Sequence, residues 1–236
     1  MASHFKRKRL PTLAAPLVVW LAALAFSAGA AEPADIAPLE KWLAFHRGLR
    51  SLQAEFVEDR TLRTLKRPLR TEGMLWMANS GSRFRWQSGG EPPKTVAVRD
   101  GDQLTLLLPA KKLARKIDLS APASTGGAGQ SAAMEFATGG LPRTLKELRA
   151  GFSIESLEKS ADTWRAELKP RDGRLAGSID RLVLVIDAGR YYLRGMEMTL
   201  RDRSKVVTTF TRQRFNSPVD DALFRPDLSG YSVKSD

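Results

Sequence analysis

The 236-residue chain has no cysteine. That excludes a disulfide framework and every thiolate-ligated metal site. Of its two histidines, His4 and His46, only His46 lies beyond the first thirty residues. A single histidine without cysteine falls short of the usual ligand sets for first-row metals. No G-x-S-x-G, no G-x-x-x-x-G-K-[ST] and no G-x-G-x-x-G between a strand and a helix occurs, so the local frames that activate a serine or cradle a phosphate are missing. Gly126-Gly127-Ala128-Gly129 lacks a lysine and a strand–helix setting, and reads as a linker. The acid clusters Glu55/Glu58/Asp59 and Asp220/Asp221 have no aromatic surroundings that would raise a carboxyl pKa, and read as solvated acids. His46, beside Phe45 and with no nucleophile motif around it, reads as a packing or surface residue. The sequence therefore predicts no catalytic residue, no metal ligand and no cofactor.

Long apolar runs are also absent after residue 30, so no spanning helix is expected there. The first thirty residues stand apart. Lys6-Arg7-Lys8-Arg9 is a basic n-region, Leu13 to Phe26 an apolar h-region interrupted by Pro16, and Ala28-Gly29-Ala30 a small-x-small site. This is the pattern of a cleaved secretory signal, which assigns residues 1–30 to the leader and 31–236 to the mature domain. No cysteine follows the h-region to carry a lipid anchor. Export without disulfides points to a bacterial envelope compartment and to a core large enough to hold without covalent staples. The leader's four Lys/Arg take the formal charge of +12 down to +8 for the remainder. The charges are scattered along strand faces rather than clustered, which argues against nucleic acid. A basic surface near anionic phospholipid headgroups is the better use of them.

What the mature chain has in abundance is alternation. Leu39, Trp42, Leu43, Phe45, His46 and Leu49 follow helical spacing, which predicts an amphipathic helix over 36–49. From Ala54 onward the period changes to two. Gly73–Trp86 and Val98–Pro109 read as three antiparallel strands, with Met74 and Trp76, Phe84 and Trp86, and Leu104, Leu106 and Leu108 all placed on one side of a sheet. Arg83, Arg85 and Gln87 fall on the other side. Asn79-Ser80-Gly81 and Asp100-Gly101 are hairpin signals. Lys111–Asp118 is a further strand, 120–132 a low-complexity loop, and Met134–Phe136 and Leu141–Arg149 are helical. Strand alternation resumes at Phe152/Ile154 and continues through Trp164/Ala166/Leu168, Leu182/Leu184/Ile186, Met196/Met198/Leu200 and Val206/Thr208/Phe210. Some ten strands with one apolar face need that face covered or rolled up. The expected fold is mostly β, a single-domain incomplete antiparallel barrel of about 10–11 strands, strongly curved and covered by helices. Its methionines and its strands apolar on both faces suit an adaptable greasy interior.

In this order the residues resemble the LolA-type periplasmic carriers of outer-membrane lipoproteins. The likeness runs from the leading helix and Leu52-Gln53-Ala54-Glu55-Phe56 through Gly73–Trp76, Arg83-Phe84-Arg85-Trp86 and Asp100-Gly101 before Leu104–Pro109. It ends with Met198–Val207, Phe215-Asn216, Phe224, Pro226 and Gly230. The resemblance implies an incomplete barrel whose hydrophobic cavity is lidded by helices. It implies a non-enzymatic monomer that takes acyl chains of lipoproteins from an inner-membrane lipoprotein-releasing ABC transporter and passes them toward an outer-membrane receptor. Candidate cavity residues are Phe56, Met74, Trp76, Phe84, Trp86, Leu104, Leu106, Met196 and Met198, with Met134 and Phe136 on a lid helix. The chain departs from the family at Met77–Ser82, where the family's Arg-Pro pair is missing, and at Asp202-Arg203-Ser204, where an Asp-x-Gly turn is expected. A paralogue carrying another envelope lipid or glycolipid, or an adaptor that senses lipids or lipoproteins, are the alternative readings. An enzyme acting on lipid or glycan is the least favoured.

Overall fold

A computed structural model describes residues 35–120, 142–171 and 173–235. The predicted leader and both proposed lid residues, Met134 and Phe136, lie outside these. The leading helix α1 spans Ala37–Arg47. Pro38 sits in its first turn, where a missing N–H costs nothing. It buries Leu39, Trp42 and Leu43. Gly48 closes it, donating its N–H to the Ala44 and Phe45 carbonyls at 3.1 Å.

Twelve strands follow: β1 (Leu52–Thr61), β2 (Leu69–Ala78), β3 (Arg83–Ser88), β4 (Thr95–Asp100), β5 (Gln103–Leu108), β6 (Leu113–Asp118), β7 (Phe152–Ser160), β8 (Thr163–Pro170), β9 (Ile179–Asp187), β10 (Leu193–Leu200), β11 (Lys205–Phe215) and β12 (Ser232–Ser235). Helix α2 (Leu145–Gly151) precedes β7, and a short helix α3 (Gly173–Ser178) precedes β9. All the strands form one sheet in the order β12-β6-β5-β4-β3-β2-β1-β11-β10-β9-β8-β7. Pairing is antiparallel throughout except at the edge, where β12 lies parallel to β6. The end strands β12 and β7 do not pair with each other, so the sheet curves without closing. One continuous apolar cluster joins Phe84 of β3 and Leu104 of β5 to Ile154, Leu168 and Leu184 at the far side of the sheet, with Leu39, Trp42 and Leu43 of α1 among them. The incomplete, helix-covered barrel read from alternation is the architecture found.

Several expectations change in detail. The segment read as three strands contains four, because Thr95–Asp100 is a strand in its own right, paired with β3 and β5. The short helix α3 and the edge strand β12 had no signal in the sequence. The larger correction concerns Met74 and Trp76. The last β2–β3 pair is Ala78 with Arg83, leaving four residues in the turn. An even count pairs odd positions with even ones, so Trp86 faces Leu75 and Phe84 faces Met77. Leu75 and Met77 therefore share the inner face with Phe84 and Trp86, and Met74 and Trp76 lie on the outer one. A one-residue slip flips a strand, and β2 is apolar on both faces, so its pattern does not choose.

Two glycines allow the curvature. Phe56 on β1 is paired with Gly73 on β2, and its ring crosses that position to stack on Trp86 of β3 at a centroid distance of 4.1 Å. A Cβ at Gly73 would stand 2.2 Å from the Gln87 carbonyl oxygen and 2.3 Å from the Phe56 ring. At Gly195 it would stand 2.5 Å from the Thr208 carbonyl oxygen. Gly73→Ala should cost about 2 kcal/mol by overpacking and lower the melting temperature by about 4–8 °C. Calorimetry of the variant checks this; an unchanged melting temperature would show that the ring and strand yield freely.

Candidate functional site

The inner face does not fill completely. Between α1, the β2–β3 turn and strands β10 and β11 lies a cavity of about 350 Å³. Its walls come from Trp42, Phe45 and Leu49 of α1 and its following turn, Leu75 and Met77 of β2, Phe84 and Trp86 of β3, Leu193 and Met196 of β10, and Phe210 and Phe215 of β11. Aromatic contacts fix these walls. Phe45 meets Phe215 edge-on at 5.2 Å, and Trp86 meets Phe210 edge-on at 6.2 Å. Phe210 and Phe215 are five residues apart, yet both face inward. The register between β1 and β11 shifts by one residue between Gln53 and Glu55, beside Arg212 at φ 45, and this bulge restores the parity.

The candidate set from the sequence therefore divides. Phe84, Trp86 and Met196 line the cavity. Phe56 lies behind Trp86, and Leu104 and Met198 are buried in the same inner cluster beyond the cavity wall, with Leu106 packed against it. Trp76 is packed on the opposite face against a second cluster of Ala78, Val96, Val98, Leu107 and Phe224. Sequence reasoning missed Leu75 and Met77, the wrong parity of an ambiguous strand. It placed Trp42, Phe45 and Leu49 on the leading helix, but helical periodicity alone does not say what a helix covers.

The outer face explains the arginines. A short helical turn at Asp221–Phe224 and the chain after it cross the outside of β2–β5. Arg83 is only 8% exposed, pairs with Asp100 at 3.2 Å and with Asp221 at 2.8 Å, and stacks on the Phe224 ring at 4.6 Å. Arg85 donates to the Leu223 carbonyl at 3.2 Å. Both point away from the cavity as the alternation predicts, but they hold the carboxy-terminal segment in place instead of facing water. The acids read as solvated are paired: Glu58 with Arg60 at 2.8 Å, Asp59 with Arg70 at 3.2 Å and Glu55 with Arg212 at 2.8 Å.

The cavity's rim is polar. Arg99, Arg143, Glu147, Gln213 and the turn Ser80–Ser82 contribute to its wall. Arg143, just before α2, donates from its guanidinium to the Ser80 carbonyl and from its backbone N–H to Glu147 Oε2 at 2.9 Å. Its own carbonyl accepts from Arg47 at 3.3 Å. Thr144 caps α2, accepting the Glu147 N–H at 3.1 Å. The turn without an Arg-Pro pair is thus tied to α2 by an arginine that comes from the helix side. His46 lies at this rim, its ring stacked on Trp42 at 6.2 Å. Burial, and secondarily the positive charge of Arg143, push its imidazole down to about 4. Among the described residues, no three His, Cys, Asp or Glu side chains converge as a metal site, and no helix is long and apolar enough to cross a membrane.

No protein-family model matches the chain, and no curated protein does. Solved structures do. A LolA superfamily protein from Nitrosomonas europaea aligns at 12% identity over 80% of this chain and 96% of its own, with a TM-score of 0.43. A putative outer membrane lipoprotein-sorting protein domain from Vibrio parahaemolyticus aligns at 14% identity over 80% and 94%, TM-score 0.44. An uncharacterized conserved protein from Thermus thermophilus aligns at 8% identity over 85% and 98%, TM-score 0.51. At 8% identity and a TM-score of 0.51, the likeness to the Thermus thermophilus protein is one of fold.

The histidine makes a checkable statement about this rim. Its pKa is about 4 in the folded chain, against 6.5 for the free side chain. The unfolded chain therefore binds a proton between pH 6.5 and 4 that the folded chain refuses, and stability falls as pH drops through that window. An NMR titration should place the His46 midpoint near 4, and His46→Gln should remove this part of the pH dependence. A midpoint near 6.5 would mean that the ring is solvated and the rim open.

Proposed function

We propose that this chain is a periplasmic carrier that shelters acyl chains of lipoproteins, or of a related envelope lipid, in the cavity beneath α1 and ferries them from the inner to the outer membrane. The observation that carries this reading is a largely apolar cavity of about 350 Å³ beneath α1, walled by Trp42, Phe45, Phe84, Trp86 and Phe210. A concave, mostly apolar pocket of that size is the usual form of a small-molecule binding site. At about 30 Å³ per water-sized unit, it has room for on the order of ten methylenes. At about 0.8 kcal/mol for each methylene withdrawn from water, a filled cavity would yield about 8 kcal/mol, a dissociation constant in the micromolar range. That strength suits a carrier, which must also let go. The sheet's walls of the cavity are largely apolar, and the acid and base among its described lining residues, Glu147 and His46, lie at the rim, so occupation without chemistry is what the walls support.

Loading from an inner-membrane lipoprotein-releasing transporter and unloading to an outer-membrane receptor complete the proposed route. Handover needs only a partner of higher affinity, because the cavity holds its cargo by burial and not by covalent attachment. The apolar walls adapt easily: Met77 and Met196 are unbranched and fill irregular space, which suits acyl chains of differing length.

A fluorescent undecanoate probe in solution tests the reading. The protein should bind it with a micromolar dissociation constant, Phe84→Glu should weaken binding tenfold or more, and Trp76→Phe on the opposite face should leave it within about twofold. Near-equal loss in both variants, or no binding by the unaltered protein, would overturn the carrier assignment. Native mass spectrometry of protein taken from an envelope extract without detergent identifies the cargo class, since a triacylated polypeptide and a free lipid differ by mass.

A further inference from the structure

Three large apolar side chains are exposed among the described residues: Leu65 at 43%, Leu69 at 48% and Val233 at 44%. Two of them meet at one hairpin end, Leu65 within the connection between β1 and β2 and Leu69 as the first residue of β2. Isolated exposed leucines are ordinary. The setting of this pair is not. From Arg60 to Thr71 the sequence reads RTLRTLKRPLRT, with Arg63, Lys66 and Arg67 all exposed and no acid in the stretch. The turn is formed, since Leu65 donates its N–H to the Leu62 carbonyl at 3.1 Å, and Pro68 stiffens its return. Leu65 and Leu69 are exposed although the sheet's own apolar clusters gather other residues, and neither cluster includes them.

The position strengthens the case. Leu52 and Met77, the cavity ends of β1 and β2, pair with each other, and Arg60 pairs with Leu69 at the far ends. At about 3.3 Å per residue the turn lies roughly 30 Å along the strands from the cavity end. The neighbouring β10–β11 turn, joined to β1 through the Thr61–Lys205 pair, adds Arg201, Arg203 and Lys205 to the same end. Some of this charge is neutralised internally: Arg70 pairs with Asp59 at 3.2 Å and Arg201 with Asp180 at 3.7 Å, and Asp202 faces Arg63. The balance remains strongly positive. Cations surrounding two exposed leucines fit an anionic bilayer surface, where apolar side chains enter the acyl boundary and the charges stay among phosphates. Nucleic acid would give the leucines nothing to bury against.

We propose that the β1–β2 turn is a membrane-docking tip that seats the protein on anionic phospholipid, Leu65 and Leu69 inserting and Arg63, Lys66 and Arg67 engaging headgroup phosphates. Docking at this end leaves the cavity rim, at the other end of β1 and β2, clear for a partner. The inference stands without the carrier reading, because it concerns the empty protein and a different surface.

Vesicle flotation tests it, using protein exported with its own leader and vesicles of phosphatidylglycerol with phosphatidylethanolamine, against vesicles of phosphatidylcholine. The protein should float with the anionic vesicles, should do so less as salt rises, and should leave the phosphatidylcholine vesicles unbound. Leu65→Ser/Leu69→Ser changes no charge and should lower vesicle affinity about tenfold. Lys66→Gln should lower it about fivefold, and Lys146→Gln, on α2 three residues after Arg143 of the cavity rim, less than twofold. Absence of binding to anionic vesicles, unchanged binding by the serine variant, or equal losses for the two lysine variants would each overturn the proposal, the last by showing diffuse charge attraction. The serine variant should bind the undecanoate probe as the unaltered protein does, so failure of this inference is separable from failure of the carrier assignment.

Discussion

The ring of Phe56, lying across Gly73 to stack on Trp86, sets the centre of this molecule. It links three adjacent strands through side chains on the inner face, beyond what their backbone ladder provides. Both halves of the arrangement are needed. Without a large ring on β1 nothing would reach β3, and with any side chain at Gly73 the ring could not lie flat between them. Once Trp86 is held this way, its other edge meets Phe210 and forms the floor of the cavity. The cavity is thus bounded below by a rigid aromatic group and above by α1, whose Leu39, Trp42 and Leu43 pack into the same apolar cluster.

The sheet uses its two faces differently. The inner face is left incompletely filled and is roofed by α1. The outer face over β2–β5 is covered by the carboxy-terminal segment, which Arg83 fastens by charge and by stacking on Phe224. That cover explains why β2 is apolar on both sides: Leu75 and Met77 serve the cavity, while Trp76 and Ala78 serve a second small core. Strands with two buried faces are usual in sheets covered on both sides, and rare in a barrel whose exterior is wet.

The rim couples polar groups that would be ordinary alone. Arg143 ties α2 to the β2–β3 turn and also faces His46, whose neutral state is favoured by burial and by that same positive charge. An uncharged ring beside the entrance keeps the entrance hospitable to hydrocarbon, and the arginine is occupied with a backbone carbonyl in place of water. The proposed membrane-docking turn lies at the opposite end of β1 and β2, so adhesion there would leave this rim accessible.

Much was legible in the chain by itself. Period-two alternation through the strands from Ala54 to Phe210, with one amphipathic helix before it, is enough to establish a curved antiparallel sheet with a greasy interior. These properties follow from local sterics and from the need to bury one face, and each is written within a dozen residues. What the chain could not decide alone was parity and pairing. Met74 and Trp76 were as apolar as Leu75 and Met77, so only the four-residue turn and the resulting register assigned the inner face. The bulge at Arg212, which turns both Phe210 and Phe215 inward, leaves no compositional trace. Arg83 and Asp221 are far apart in sequence, and their pairing depends on where the tail crosses the sheet. Burial of one face is a local demand that sequence states plainly; which residues meet across it is a property of the whole folded chain.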